Sequence, residues 1–544
     1  MPDRDPAKPD EKTALAHDPS IAAGSAGPGA RGMKQALKEL SRRRAASAGM
    51  GGSDAIDRHH SRGRLTARER IEMLLDTASF REMGGLSGKA EDDAFTPSNT
   101  VMGTGRIDGR RVAVSADDAT IRGGSVEATI PEKWIYAERY ALEYRLPMVR
   151  LVDTAGGSIR TIEQVGYAPV PGYPTWPVVP LMDRVPVVGI CLGACAGLGA
   201  VRVMASHFSV MVRGTSQLFV SGPPVVRAAL GIETEKEALG GAAVHVHRTG
   251  LVHNAAEDEF DALAQARDFL SYLPTHDREL PPCVQPDDDP GRAEPVLRHL
   301  VPEDRRQGYD MRVLLDRVLD LGSIFEIGRH HGGSTITMLA RLNGVPVGVI
   351  ANDPQVLSGA MSLVAAQKTT RFVQLCDQFR LPVVNFVDQP GNLVGPEAEN
   401  TGALLAAVEA LKAIERSKMP WISIIVGRVY GVAGGLHGRK HGRNGQSINH
   451  RLAWPTARWG SLPVQGGVSA AFRREIAASA DPAARQAELE VHYDALHSPF
   501  RTAERFGIPD ILDPIETRPV LCDWIEDARR LTEVQLQDDL AHAR

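Results

Sequence analysis

The chain has 544 residues, 43% of them hydrophobic and 24% charged, with a formal net charge of −5. That balance gives no electrostatic case for nucleic acid or an anionic membrane surface as partner. Five dispersed cysteines (Cys191, Cys195, Cys283, Cys376, Cys522) without a CxxC pair argue against a zinc ribbon or disulfide framework and fit a reducing, cytoplasmic setting.

Taken in order, residues 1–30 are rich in Asp, Pro, Ala and Gly without an apolar period, and are expected to form a flexible tail with no secretory h-region. Thr66-Ala-Arg-Glu69 ahead of Ile71, Leu74 and Leu75 predicts a capping box opening a helix. Val112–Asp117 reads as a strand. The helix after it should end before Leu146-Pro147, because the residue preceding proline is pushed out of the helical region. Met148–Val152 is then a short buried strand ending at Asp153. Val185–Val201 is uncharged but broken by Gly189, Gly193, Gly197 and Gly199, so a buried strand running into a glycine turn is expected, not a membrane span. A Pro- and Asp-rich linker covers about residues 274–302. The C-terminal region closes with a helix containing Trp524, Ile525 and Leu531.

The chain contains one stretch twice. Arg106–Gly156 aligns without a gap on Arg341–Gly391 at an offset of 341 − 106 = 235, with 15 of 51 positions identical, where chance gives roughly three or four. Arg-Leu-Pro-x-Val-x-x-Val-Asp recurs whole, as Arg145–Asp153 and Arg380–Asp388. Gly193-x-x-x-Gly197 is answered by Gly427-x-x-x-Gly431 at an offset of 234. A repeat of this length is a domain duplication, and alternating strands and helices predict two similar α/β units. Boundaries are placed at 31–290 and 291–544.

The chemistry is expected at the paired glycine turns, Gly193–Gly199 and Gly427–Gly435. Small residues after a buried strand let the backbone approach a ligand and aim N–H groups at it, an arrangement suited to a developing oxyanion. Neither turn is a phosphate loop or a dinucleotide fingerprint. Asp153 and Asp388, at strand ends, offer a catalytic carboxylate or a cap of the turn that follows, and the cap is the expected role. His245-x-His247 suits one face of a strand, and His330-His331 lacks carboxylates at ligand spacing, so no metal site is expected. Cys191-x3-Cys195 reads as core packing, and His437–Arg443 as a short basic loop.

Gly63–Arg70, Gly123-Gly124-Ser125, Leu151-Val-Asp-Thr-Ala-Gly-Gly157 and Cys195-Ala-Gly197 form an ordered series of motifs. Glu237–Ala242, Phe386–Gly391, Ala453-Trp-Pro-Thr456 and Ile515-Glu-Thr-Arg518 continue it. In these the chain resembles the carboxyltransferase (β) subunits of biotin-dependent acyl-CoA carboxylases, such as those for propionyl-CoA and methylcrotonyl-CoA, over about residues 35–535. The resemblance implies two tandem crotonase-like domains, an acyl-CoA side and a biotin side, with the site formed between different subunits of a hexamer. It implies no metal and no side-chain base: carboxybiotin arrives on a partner, and the cofactor takes the α-proton. Backbone N–H groups of Gly197, Leu198, Val432 and Ala433 would form the oxyanion holes. Gly156, Gly157 and Gly197 would meet the acyl-CoA, and Gly431, Val432 and Ala433 the biotin. Gly434 and Gly435 would leave room for a branched, aromatic or long acyl group.

The match departs from the family at the turns. Leu198 and Val432 replace glycines, and Ser158–Ile162 replaces the usual Ala-Arg-Ile-Gln-Glu. With no Met-Lys-Met biotin site and no ATP-binding domain in the sequence, carboxylation needs a separate biotin carboxylase and carrier. Two alternatives stand beside the carboxylase reading: the corresponding subunit of a biotin-dependent decarboxylase, and a non-catalytic scaffold.

Overall fold

The computed structural model describes residues 32–91, 94–168, 170, 172–304, 307–438, 448 and 450–542. The expected tail at 1–30 and most of the basic loop, from 439 onward, lie outside them.

Helix α1 (Met33–Ala48) leads into α2 (Ala67–Leu74). The capping box is formed in full: Glu69 N donates to Thr66 Oγ1 at 3.3 Å, and Thr66 N donates to Glu69 Oε2 at 2.7 Å. The first half then supplies β1 (Arg81–Met83), β2 (Thr100–Ile107), β3 (Arg110–Asp117), α3 (Pro131–Tyr144), β4 (Met148–Val152), β5 (Val187–Cys191), β6 (Ala194–Ala196), α4 (Leu198–Met204), β7 (Phe208–Val212), β8 (Gln217–Phe219), β9 (Asn254–Ala256) and α5 (Glu259–Ser271). The second half supplies β10 (Phe325–Glu326), β11 (Thr335–Leu342), β12 (Val345–Asn352), α6 (Leu363–Gln378), β13 (Val383–Gln389), α7 (Ala403–Arg416), β14 (Trp421–Tyr430), β15 (Arg451–Ala453), β16 (Arg458–Gly460), β17 (Asp510–Ile511) and α8 (Thr517–His542).

Two sheets repeat one another along a seven-strand path, with β16 pairing β14 beside the path of the second. The first runs β1-β2-β3-β4-β5-β7-β9 and the second β10-β11-β12-β13-β14-β15-β17. In each, the first three strands are antiparallel and the rest parallel. The register repeats too: Ala113 pairs with Met148, and Gly348 with Val383, both partners displaced by 348 − 113 = 383 − 148 = 235. The parallel strands β4, β5 and β7 are buried at every position, as expected for a sheet covered on both faces.

The repeated Arg-Leu-Pro motif performs the same local task twice. Arg145 and Arg380 sit in the left-handed region, with φ of 52° and 59°. Each ends the helix before its proline and turns the chain into the next strand. The halves are packed on one another: Phe208 meets Phe325 edge-on at 5.3 Å, and Asn254 Nδ2 donates to Glu326 O at 3.1 Å. The linker is bound to the second half, with Val284 N donating to Gly344 O at 3.0 Å and Arg341 Nη1 to Pro282 O at 3.0 Å. Among the described residues, no helix is long and apolar enough to cross a membrane.

Candidate active site

Each glycine turn follows the C-terminal end of a buried parallel strand. Gly197 (φ 56°, ψ −118°) and Gly431 (φ 64°, ψ −158°) hold backbone conformations that L side chains rarely adopt. Their own amides are tied to the neighbouring short strand. Gly197 N donates to Phe219 O at 3.1 Å, and Gly431 N to Gly460 O at 3.0 Å. The chain then turns into α4 in the first half and a 3-10 turn, Val432–His437, in the second. No described residue accepts a hydrogen bond from the amides of Leu198 and Gly199, or from those of Val432 and Ala433. Among the described residues, each copy therefore leaves at least two consecutive N–H groups without an acceptor after its turn glycine. The Gly197 amide, expected as a donor, is occupied by Phe219 O, whereas the amides of Leu198 and Gly199 have no acceptor among the described residues.

Gly156 is brought against the first turn: a Cβ there would lie 2.8 Å from Ala196 O. Ala196 N donates to Thr154 O at 3.3 Å, and a Cβ on Gly199 would overlap the Thr154 methyl. Gly157 and Gly197 face open space, with nothing within 4 Å of an added Cβ. The second turn stands beside a cavity of about 270 Å³ lined by Gly431, Gly434, Val429, Arg451, Trp459 and Gly460. Gly434 is buried, and a Cβ there would come within 2.9 Å of Val429 Cγ1. Arg451 Nη2 donates to Gly434 O at 3.2 Å and its Nε to His437 O at 3.2 Å, fixing the floor of this turn. No hydrogen bond between described residues joins the two turns. Val432 is 80% exposed, an apolar side chain presented outward from the second turn.

The two aspartates are not turn caps. Asp153 is buried, receives Arg70 Nη1 at 2.9 Å and pairs with Arg64. Arg70 in turn forks onto Glu259 at 2.7 and 2.6 Å. Asp388 receives Arg428 Nε at 2.7 Å and Tyr309 OH at 3.1 Å. Their backbone amides are held alike, Asp153 N by Asp117 Oδ2 and Asp388 N by Asn352 Oδ1, both at 3.2 Å. These ion pairs lock the strand end beneath each turn. Their arginines come from Arg64, Arg70 and Arg428, too scattered in sequence to be paired by spacing.

His245 and His247 lie in a π-helical turn, Ala243–Arg248, not on a strand. Gly241 O receives Val244 N at 3.0 Å and His245 N at 3.1 Å at the start of that turn, and His245 Nε2 lies 2.9 Å from Leu218 O. Cys191 and Cys195 are buried, their sulfurs 3.6 Å apart in the core. Among the described residues, no group of three or more His, Cys, Asp or Glu could hold a metal ion.

Two tandem α/β units with crotonase-like folds, each ending a parallel strand in an amide-bearing glycine turn, define a class of enzymes that stabilise thioester enolates. The carboxyl transferase domain family matches residues 58–532, and the chain belongs to it. It is an acyl-CoA carboxyltransferase of the biotin-dependent type. The propionyl-CoA carboxylase carboxyltransferase subunit of Haloferax mediterranei is 34% identical over 525 residues, covering 94% of this chain and 99% of that protein. The methylmalonyl-CoA decarboxylase subunit alpha of Veillonella parvula is 31% identical over 481 residues, covering 87% and 91%. A crystal structure of transcarboxylase 12S, a hexamer with methylmalonyl-coenzyme A and methylmalonic acid bound, aligns with a TM-score of 0.82 at 30% identity, over 91% of this chain and 95% of that one.

Proposed function

We propose that this chain moves a carboxyl group from biotin, carried on a separate partner, to the α (or vinylogous γ) carbon of an acyl-CoA. The observation that carries the reading is the duplicated turn, with two consecutive unpaired amides after a left-handed glycine in each half. Acyl-CoA enolisation needs one oxyanion stabilised at the thioester, and carboxyl release from biotin needs another at the ring carbonyl. Leu198 and Gly199 N–H would hold the thioester oxygen, with Gly156 and Gly157 admitting the acyl-CoA backbone-close. Val432 and Ala433 N–H would hold the biotin oxygen, with Gly431 at the cavity wall.

The cavity beside the second turn fits that cofactor in kind. Its wall combines glycine backbone with Trp459 and Val429, and its volume lies close to the lower end of the ~300–1,000 Å³ range of small-molecule sites. When bound, biotin supplies the carboxyl group and the basic atom for the substrate's α-proton. The chain's part is to fix both oxygens and to keep the donors rigid: strand-end ion pairs at Asp153 and Asp388 hold each turn before substrate arrives.

The division at 31–290 and 291–544 is proposed on the same basis, as an acyl-CoA half and a biotin half. It lies between the last strand of the first sheet, β9, and the first of the second, β10. A hexamer placing one subunit's first turn opposite another's second turn is supported by the hexameric transcarboxylase relative. The partner would be a biotin carboxylase with a biotin carboxyl carrier, in the cytoplasm. A preference for branched, aromatic or long acyl groups over acetyl is proposed on the two side-chain-free positions Gly434 and Gly435 after the second turn. The Veillonella relative supports a second reading, the same turns run as a decarboxylase.

The test is co-purification with a biotinylated partner, followed by an acyl-CoA panel with ATP and labelled bicarbonate. Label should enter at least one acyl-CoA, with acetyl-CoA below the larger substrates in kcat/KM. No incorporation across the panel by the reconstituted complex, together with ATP-independent CO2 release from a carboxylated acyl-CoA, would replace the carboxylase reading with the decarboxylase one.

A further inference from the structure

A cavity of about 340 Å³ lies in the seam between the two halves. It sits at the N-terminal ends of β5 and β7, whereas the first glycine turn follows the C-terminal end of β5. No residue of either turn lines it. One wall is apolar, made by Met204 and Val252 from the first half and Ile327 and Phe372 from the second.

The rest of the lining collects positive charge and hydrogen-bond donors. Lys368 is buried, and its Nζ donates to Gly328 O at 2.8 Å, Thr335 O at 2.8 Å and His331 O at 3.2 Å. All three acceptors are carbonyls, so the ammonium charge is solvated but not neutralised. Glu326, the carboxylate whose charge acts on it, is engaged by Arg312 at 2.6 and 3.0 Å. Three residues on along α6, Arg371 lines the mouth, reached by solvent, and no described carboxylate pairs with it.

His253 adds a donor. Its Nδ1 accepts from Ser209 N at 3.1 Å, so the ring proton sits on Nε2, for which no described residue provides an acceptor. His207 is spent: Nδ1 accepts from Val187 N at 3.1 Å, and Nε2 faces Gln378 Oε1 at 3.3 Å. His331 is likewise turned to the His247 carbonyl, 3.2 Å from its Nδ1. The one carboxylate among the lining residues, Asp183, is exposed. A cavity with two cations, one unfilled N–H and an apolar wall is short of an anion with an apolar body.

We propose that the seam cavity binds a small organic anion, its carboxylate or phosphate group received by Arg371 and His253 Nε2–H under the charge of Lys368. Its apolar part lies on Met204, Val252, Ile327 and Phe372. Because both halves contribute lining residues, such a ligand braces the halves against one another.

Calorimetric titration of the full chain in chloride-free buffer tests this with butyrate, butyl phosphate and inorganic phosphate, and with butylamine as the cationic control. Saturable binding of butyrate, butyl phosphate or both supports the site, and whichever binds identifies the headgroup. Arg371→Met should weaken that binding about tenfold or more, the usual effect of losing a charge-assisted hydrogen bond, while Arg371→Lys stays within about threefold of wild type. Arg371 is solvent-reached, so both variants should keep the parent's melting temperature and oligomeric state. Absence of binding by every anion, or equal binding in Arg371→Met, overturns the proposal. Inorganic phosphate binding as tightly as its butyl ester overturns the role of the apolar wall.

Discussion

Gly427 lies directly against the carboxylate of Asp388: a Cβ at Gly427 would come within 2.7 Å of Asp388 Oδ1. The first half repeats the relationship, with a Cβ on Gly193 falling 2.6 Å from Asp153 Cγ. The glycine of each turn motif is thus fixed by an aspartate at the end of the preceding strand in the sheet. Asp388 is in turn held by Arg428, the residue after Gly427. Turn and ion pair form one unit in each half.

Gly427→Ala should therefore displace the Asp388 carboxylate from Arg428 and tilt the second turn. Overpacking of this kind costs about 1–3 kcal/mol. The measurable result is a lower melting temperature, and a larger loss in the biotin-side half-reaction than in acyl-CoA proton exchange. An unchanged melting temperature would show that the site relaxes and that the contact is not limiting.

The ion-pair network beneath the first turn gives a contrasting pair of variants. Glu259→Ala leaves the buried Arg70 guanidinium with only Asp153 and the Leu192 carbonyl. Removing one partner of a buried pair costs about 3–5 kcal/mol, whereas replacing both by apolar groups is often neutral. Arg70→Met combined with Glu259→Leu should thus recover much of the stability lost in Glu259→Ala, read by urea denaturation. A double variant as unstable as the single one would mean that the network does more than neutralise charge.

The repeat was legible because both copies retain the positions that backbone geometry dictates. Arg145 and Arg380 in left-handed turns before proline, and the glycines against Asp153 and Asp388, are constraints that divergence cannot relax. The turns were legible for the same reason. The free donors were not: whether Gly197 or Gly199 offers its amide depends on Phe219, 22 residues past Gly197 (219 − 197 = 22), reaching back along β8. The ion pairs were missed because their arginines sit on separate elements, joined only by the fold. His245 and His247 misled because a single His-x-His step is too short to distinguish the two-residue period of a strand from the wide turn in which they lie.

A buried histidine beside the second turn makes the fold sensitive to acid. His437, beside the second turn, has its pKa pushed down to about 3 from 6.5, by burial first and Arg451 second. Its ring nitrogens lie 3.0 Å from Asn385 Nδ2 and 2.9 Å from Gln389 Oε1, a neutral arrangement. Between about 6.5 and 3 the unfolded state binds a proton that the folded state does not. The contribution of His437 is therefore full above pH 6.5 and is lost as pH falls toward 3, by up to ~1.4 kcal/mol per pH unit. His437→Gln, neutral throughout, should melt below wild type at pH 7.5, with the gap narrowing by pH 5. A constant gap would assign the acid sensitivity elsewhere.

The division of labour between the turns is tested by removing one donor from each. Leu198 and Val432 are the first residues of their helical turns, where proline's fixed φ is tolerated and its missing N–H breaks no internal bond. The preceding glycines have ψ of −118° and −158°, outside the helical region that proline forbids to its predecessor. Proline should therefore delete the donor with little change of path, and loss of one oxyanion donor typically costs about 100- to 1,000-fold in kcat. Leu198→Pro should suppress α-proton exchange of the acyl-CoA. Val432→Pro should suppress decarboxylation of carboxylated biotin and leave acyl-CoA binding within about threefold of wild type, since a donor used only for the transferred group does not hold the ground-state substrate. Each variant is compared at matched melting temperature and oligomeric state. If Val432→Pro, so matched, releases CO2 from carboxylated biotin at the parent rate, the second turn is not the biotin oxyanion site.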